Sequence, residues 1–409
     1  MTLGQHSNQN RLKIREPDTP IHPRNSATFQ PQNRRPRSLY IHIPFWRHRC
    51  GYCNFSLVAD RDHLIERFLD ALETEISWLR ENYELDTLFL GGGTPSHLSP
   101  SHLVQLKQII SSRFSLAPDT EVTAECNPND LNGPRGLALA DLGVNRISLG
   151  VQSLRLEKLK ALERDHNIAD VENAIHVARS FCRSVSIDLI FAAPSETLAL
   201  WKSDLDRAIG LNPDHISTYE LTYEKGTQFW NRLSQGKLSQ ANEELRSEMY
   251  CHTIARLAKA GLEQYEVSSF AKPQHRCRHN TVYWNGDPYF AFGPGAARYV
   301  DSIRQTNHRS TMRYMSLIEQ QRSPVAGSEQ LAPLDCAKER LAIGLRMIDG
   351  VEGIPFKAST GFSVEEVLGP LAVQLQENKM LIRANDFWRL SEKGILICDW
   401  ISGEIIGRL

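Results

Sequence analysis

The chain has 409 residues, of which 41% are hydrophobic and 23% charged, with 47 Lys and Arg against 48 Asp and Glu. That balance excludes a globally disordered chain and a chain-wide basic surface of the kind that grips nucleic acid. No apolar run approaches the roughly 18 residues of a membrane span, and eight cysteines are too few for a disulfide scaffold at this length. The first 30 residues contain no apolar core of a signal peptide, so a cytoplasmic, reduced setting is expected.

Residues 1–37 are rich in Asn, Gln, Pro and Arg, carry seven Lys or Arg against Glu16 and Asp18, and lack apolar periodicity. A disordered tail is expected there. From Ser38 the pattern changes. The run 38–45 reads as a strand, and Leu64, Phe68, Leu72, Ile76 and Leu79 fall near helical period over 63–80. A strand over 86–93 ends in glycines. A helix over 101–113 follows, with Ser99 and Pro100 as cap and first-turn residues. Strands are expected over 121–128, 145–153, 184–192 and 214–222, separated by helices, the last near 198–209. Six alternations with short links predict a parallel sheet with helical crossovers. The strands read as nearly continuous apolar runs, as if both faces were covered.

The resulting fold class is α/β, a partial (β/α)6 barrel with a smaller C-terminal helical, winged-helix-like domain. Polar residues gather at the strand C-terminal ends, where barrel chemistry sits. Beyond the barrel, a helix over 242–259 and a strand over 264–270 are expected, then a polar, aromatic segment over 272–295. The domain reading is a barrel over 38–302, a loose linker over 303–333, and a C-terminal domain over 334–409 with short strands at 379–382 and 387–390.

The most informative stretch runs from Tyr40 to Phe55 and contains Cys50-Gly51-Tyr52-Cys53 just after the first strand. A lone C-x-x-C is a weak signal, open to redox, zinc or ordinary thiol readings. The stretch resembles the radical S-adenosylmethionine superfamily, in the branch of oxygen-independent coproporphyrinogen oxidases and HemW-type haem chaperones. That resemblance implies a barrel of the radical-SAM type, S-adenosylmethionine, and a four-iron, four-sulfur (4Fe-4S) cluster held by C-x-x-x-C-x-x-C. Cys50 and Cys53 match two of its cysteines as metal ligands. The third should stand at position 46, which is Trp46, and an indole N–H is a donor that cannot ligate iron. Three readings follow: a weak cluster with a substitute ligand, a lost cluster, or an isolated change in a working lineage.

Gly91-Gly92-Gly93-Thr94-Pro95 ends the second strand and is open to two readings, a ligand cradle or a tight turn. The resemblance implies cofactor contacts from Tyr40, Gly92, Gly93, Thr94, Glu125, Gln152, Arg164 and Asp188. Two departures accompany it. Glu163 stands where relatives commonly have glycine, and Phe191-Ala192-Ala193-Pro194-Ser195-Glu196 has lost two glycines of the usual Tyr-Gly-Leu-Pro-Gly-Gln.

His279-Asn280-Thr281-Val282-Tyr283-Trp284 places a histidine beside two flat rings, a set that suits haem. It resembles the H-N-x-x-Y-W signature of the HemW-type chaperones, which implies His279 as an axial haem ligand with Tyr283 and Trp284 as apolar faces. Haem transfer to acceptor proteins is the functional expectation. The alternative is a radical coproporphyrinogen oxidase. Phe55 stands where the oxidases usually carry a further cysteine, and the missing ligand at Trp46 bears hardest on radical chemistry. A barrel that merely binds a partner or nucleoside is a third reading. No nucleic acid is expected as partner. The haem acceptor, a homodimer and a peripheral contact with membrane haemoproteins are left open.

Overall fold

The computed structural model describes residues 35–407. The expected tail lies outside the described residues as far as position 34. Arg37, counted with that tail, is anchored: its guanidinium donates to Asp86 Oδ2 at 2.7 Å and to Glu84 Oε1 at 2.8 Å.

Strands β1 (Ser38–Ile43), β2 (Tyr83–Gly92), β3 (Phe114–Cys126), β4 (Arg146–Gln152), β5 (Ser184–Phe191) and β6 (His215–Glu220) lie side by side in that order, each pair parallel. Helices α1 (Ile65–Ser77), α2 (Pro100–Ser111), α3 (Gly133–Leu142), α4 (Leu156–Ala161), α5 (Ile168–Arg179) and α6 (Leu198–Gly210) make the crossovers. This is the open six-unit barrel that the alternation predicts. At the start of α2, Ser99 Oγ accepts from the His102 N–H and Pro100 takes the first turn, where its missing N–H costs nothing.

The strands differ from the expected pattern on one face. Leu39, Ile41, Leu88, Leu90, Ile147, Leu149, Ile187 and Ile216 are fully buried in the main apolar core. The alternate residues Thr123, Ser148, Asp188 and Ser217 line a cavity. Side chains alternate across a strand with period two, so the barrel is apolar outside and polar within. The continuous-run reading missed this.

After α7 (Gln228–Ser234) and α8 (Glu243–Lys259), the strand expected over 264–270 is an antiparallel pair, β7 (Glu263–Glu266) and β8 (Ser269–Ala271). β8 pairs antiparallel with β6, while β9 (Phe290–Phe292) pairs parallel with β1 at the far edge. The sheet thus has nine strands, in the order β9-β1-β2-β3-β4-β5-β6-β8-β7. Between β8 and β9 runs α9 (Arg278–Trp284), which carries the H-N-x-x-Y-W residues.

The stretch 303–333 is a correction. It holds β11 (Ile303–Asn307), α10 (Thr311–Glu319) and β12 (Val325–Glu329), and β11 pairs with both β10 (Ala297–Val300) and β12. α10 is ordered by packing: Tyr314, Met315, Leu317 and Ile318 are buried, and Tyr314 donates to Glu75 Oε2 on α1 at 2.6 Å. From α11 (Pro333–Gly344) a second apolar core forms, with Leu341, Leu371, Leu375, Trp388 and Ile401 buried in it. Its antiparallel ribbon is β13 (Leu381–Ala384) with β14 (Phe387–Leu390), close to the strands read from sequence. Among the described residues no helix is long and apolar enough to cross a membrane.

Candidate functional site

The cysteine loop leaves β1 and is pinned where it starts and ends. Phe45 and Trp46 pair in parallel with Val58 and Ala59. Cys50 is 5% exposed and Cys53 is half-buried. Burial pushes both thiols up; the Arg164 guanidinium opposes this at Cys50, and the Phe55 N–H opposes it at Cys53. The Arg164 guanidinium stacks 4.9 Å from the centre of the Trp46 ring and sits 3.7 Å from Cys50 Sγ. It also donates to Asn127 Oδ1, and to Gly150 O at 2.9 Å. Glu163, the departure from glycine, takes over part of the loop's support. Its Oε2 accepts from the Gly51 N–H at 2.7 Å, and its Oε1 pairs with Arg232 at 2.7 Å.

Among the described residues, no group of three or more His, Cys, Asp or Glu is placed to hold a metal ion. Two thiols beside an indole stacked on a guanidinium do not fit a cluster that takes three thiolates. Neither His42 nor His48 completes the set. His42 lies within β1, its ring bonded to Tyr40 Oη at 3.0 Å and to Ser56 O at 2.7 Å, and His48 is exposed.

The glycine-rich end of β2 is a tight turn whose N–H groups bond within the protein. Gly92 has φ +112, and a Cβ there would come within 2.6 Å of the His42 ring. The Gly92 N–H donates to Glu125 Oε2 at 3.0 Å, Gly93 to Ile43 O at 2.7 Å, and Thr94 to Phe45 O at 2.8 Å. Thr94 Oγ1 is buried without a partner. Of these residues Glu125 also lines the barrel cavity, and its carboxyl would meet a hydroxyl or amino group of S-adenosylmethionine there.

Four rim residues other than glycine adopt left-handed backbone: Gln152 (φ +64), Glu163 (+57), Ala192 (+59) and Ser195 (+62). Ala192 and Ser195, which stand where the resemblance implies glycine, thus hold a left-handed backbone that strains any residue with a Cβ. The strain is relieved differently at the two positions. Ser195 is exposed, so Ser195→Gly is expected to stabilise the fold by about 1 kcal/mol in urea unfolding. The Ala192 methyl is buried, and losing it costs about 0.8 kcal/mol, so Ala192→Gly should be near neutral. Equal effects at both sites would show that backbone strain is not the cause.

Tyr40, Glu125, Asp188, His279 and Tyr283 meet around one cavity of about 210 Å³ inside the barrel. Burial, with Asp188 nearby, pushes Glu125 up to about 7, against the Gly92 N–H; burial pushes Asp188 up to about 6, against the Ser217 and Ser148 hydroxyls. Sequence reasoning missed Arg146, His215 and Tyr219 in this lining. Their signal was available, since Arg146, Ser148, His215, Ser217 and Tyr219 fall at alternate positions of strands read as apolar throughout.

α9 closes the cavity at the N-terminal end of the barrel, opposite the cysteine loop. Glu121 Oε2 accepts from the Arg278 N–H at 3.1 Å and Oε1 from the His279 N–H at 3.0 Å, so a carboxylate holds the helix start. His279 is fully buried, and both ring nitrogens are engaged, Nδ1 with Thr87 Oγ1 and Nε2 with Tyr283 Oη, each at 2.8 Å. Burial pushes its imidazole down to about 3. Trp284 is turned away from the cavity, its ring under the Arg346 guanidinium at 5.1 Å. The expected arrangement, His279 as an open axial ligand between the faces of Tyr283 and Trp284, is not the one observed. His279 and Tyr283, four residues apart, share the inward face of the helix, while Trp284 falls on another face.

An open six-strand barrel with a thiol loop after β1 and a glycine turn after β2 defines a protein of the radical-SAM type. The family description "Radical SAM superfamily" matches residues 40–208, and "HemN C-terminal domain" matches residues 331–397. The fold is similar to that of coproporphyrinogen III oxidase (HemN) from Escherichia coli, at TM-score 0.80 and 22% identity over 93% of this chain and 92% of that one. Closer in sequence is "Heme chaperone HemW" of Bacillus subtilis (strain 168), 32% identical over 91% of this chain and 100% of that protein. The protein of the same name from Lactococcus lactis subsp. lactis is 33% identical over 88% of this chain and 94% of its own length. The chain belongs to the HemW family of haem chaperones.

Proposed function

We propose that this chain binds haem and passes it to acceptor proteins, without adenosyl-radical chemistry. The observation that carries the reading is the cysteine loop: in a chain with HemW relatives, the place of a third ligand holds Trp46, and Arg164 is stacked on it. Radical initiation needs an electron delivered through a cluster, whereas haem carriage needs one axial ligand and an apolar face. On this reading, Trp46 at the place expected for the first cluster cysteine separates the two activities. Cys50 and Cys53 remain thiols in a reduced, cytoplasmic setting.

The test measures both activities on the full chain. Ferric haem titration is expected to saturate at about one haem per chain. Anaerobic reconstitution with iron and sulfide is expected to leave little of either, with a gain in Trp46→Cys. No haem uptake would remove the carrier reading. A stable cluster in the unaltered chain would remove the claim that radical chemistry is lost.

A further inference from the structure

We propose that Arg146 forms a carboxylate-binding site at the floor of the barrel cavity. Two sources supply that chemistry, a haem propionate and a small free acid, and the first rests on the haem-carrier reading above. Arg146 is the first residue of β4, is 3% exposed and lines the cavity of about 210 Å³. Its Nη1 donates to Ser184 Oγ at 3.0 Å and to His275 O at 2.9 Å, both neutral acceptors. Among the described residues no carboxylate is ion-paired with it, and its Nε and Nη2 groups have no partner. Glu121 and Asp188 act on it only at longer range. A buried guanidinium is costly until a counter-charge and hydrogen bonds answer it.

The polar groups around it are already answered from within the protein. His215 Nδ1 bonds Ser186 Oγ at 2.8 Å and its Nε2 bonds Tyr265 Oη at 2.9 Å, while the Cys277 N–H donates to the same phenol oxygen at 3.1 Å. Glu121 is taken up by the start of α9. Asp188 accepts from the Ser148 hydroxyl at 3.1 Å, and Glu125 from the Gly92 N–H at 3.0 Å. The charge left over in this lining is positive and belongs to Arg146.

Strand register separates that charge from the rim carboxylates. Arg146 is level with Ser184 on β5 and with Thr123 on β3. Asp188 lies four residues beyond Ser184, roughly 13 Å along the strand, and Glu125 two residues beyond Thr123, roughly 7 Å. The cavity is thus cationic at its floor and acidic towards its rim, so an anion is drawn to the floor. Asn280 on α9 also lines the cavity, and its side-chain amide has no partner among the described residues. The free donors of a guanidinium fork, with an amide in the same lining, suit a planar carboxylate. His279 belongs to this lining too. A propionate bound at Arg146 therefore enters the cavity that holds the imidazole implied by the sequence motif as the iron ligand.

The experiment titrates the full chain with ferric haem, with haem dimethyl ester, which lacks both carboxylates, and with succinate. If a propionate is the occupant, the unaltered chain binds haem about tenfold or more tighter than the ester, and Arg146→Gln closes that gap by weakening haem alone. If a free acid is the occupant, haem and ester bind alike, and succinate raises the melting temperature of the unaltered chain but not of Arg146→Gln. Either result supports the site. The comparison of haem with its ester needs no variant, and Arg146→Lys, which keeps the charge without the fork, is expected to retain part of the effect. Equal binding of haem and ester with no response to succinate overturns the site while the carrier reading stands. A gap or a succinate response that persists in full in Arg146→Gln overturns it as well, since another cation then holds the carboxylate. If the unaltered chain takes up neither haem nor ester, the carrier reading falls and the succinate response alone decides the site.

Discussion

His279→Ala is expected to lower the unfolding free energy by about 3 kcal/mol at pH 7.5, from ring truncation and from Thr87 and Tyr283 hydroxyls left unpaired in a buried site. The pH dependence separates this role from that of an accessible ligand. The folded imidazole is pushed down to about 3 by burial, whereas the unfolded one titrates near 6.5. Between those values the unfolded chain binds the extra proton, so this histidine's contribution to stability is present above about 6.5 and lost as pH falls towards 3. At about 1.4 kcal/mol per pH unit, roughly 2 kcal/mol of it is gone by pH 5. The alanine variant lacks this slope, and the other histidines are common to both proteins. The gap between variant and unaltered chain in urea unfolding should therefore narrow to about 1 kcal/mol at pH 5. A gap that stays constant or widens would show that the imidazole is protonated in the fold and that the barrel plug described for α9 is wrong.

The barrel was legible because its evidence is local. Strand runs ending at Gly91–Gly93, Glu125, Gln152 and Asp188, with capped helices between them, need no long-range information. β9 and α10 were not, since each is short and is ordered by partners distant in sequence: β1 and α1. The same division runs through the site. The cysteine pair and the glycine turn announce themselves as motifs. The support of the loop by Glu163 and Arg164 does not, because these residues lie more than 110 positions from Gly51 and Cys50. A motif also fixes residue types without fixing direction. His279, Tyr283 and Trp284 read as one flat-walled site, yet on α9 the first two turn into the barrel and the third turns out of it.

Lys158→Ala is expected to cost about 3–5 kcal/mol, the range for removing one partner from a buried ion pair. Lys158 Nζ lies 2.7 Å from Glu196 Oε1 and 3.2 Å from Asp204 Oδ2, and the side chains are 3%, 2% and 0% exposed. Without the ammonium, two carboxylates are left in a site that burial already makes unfavourable, as the raised Glu196 shows. The loss would reach the rim. Glu196 Oε2 accepts from the Ala193 N–H at 3.1 Å, inside the strained Ala192–Ser195 turn. Asp204 accepts from Ser153 Oγ at 2.5 Å and from the Leu154 N–H at 2.6 Å, just past the left-handed Gln152. The triad thus holds both corners whose backbone strain was found above, and strain of this kind persists where the surroundings over-determine it. Urea unfolding gives the total cost, and hydrogen exchange at Ala193 and Leu154 should report local opening at energies below the global value. A loss under about 1 kcal/mol with unchanged exchange would mean that the triad does not support the rim.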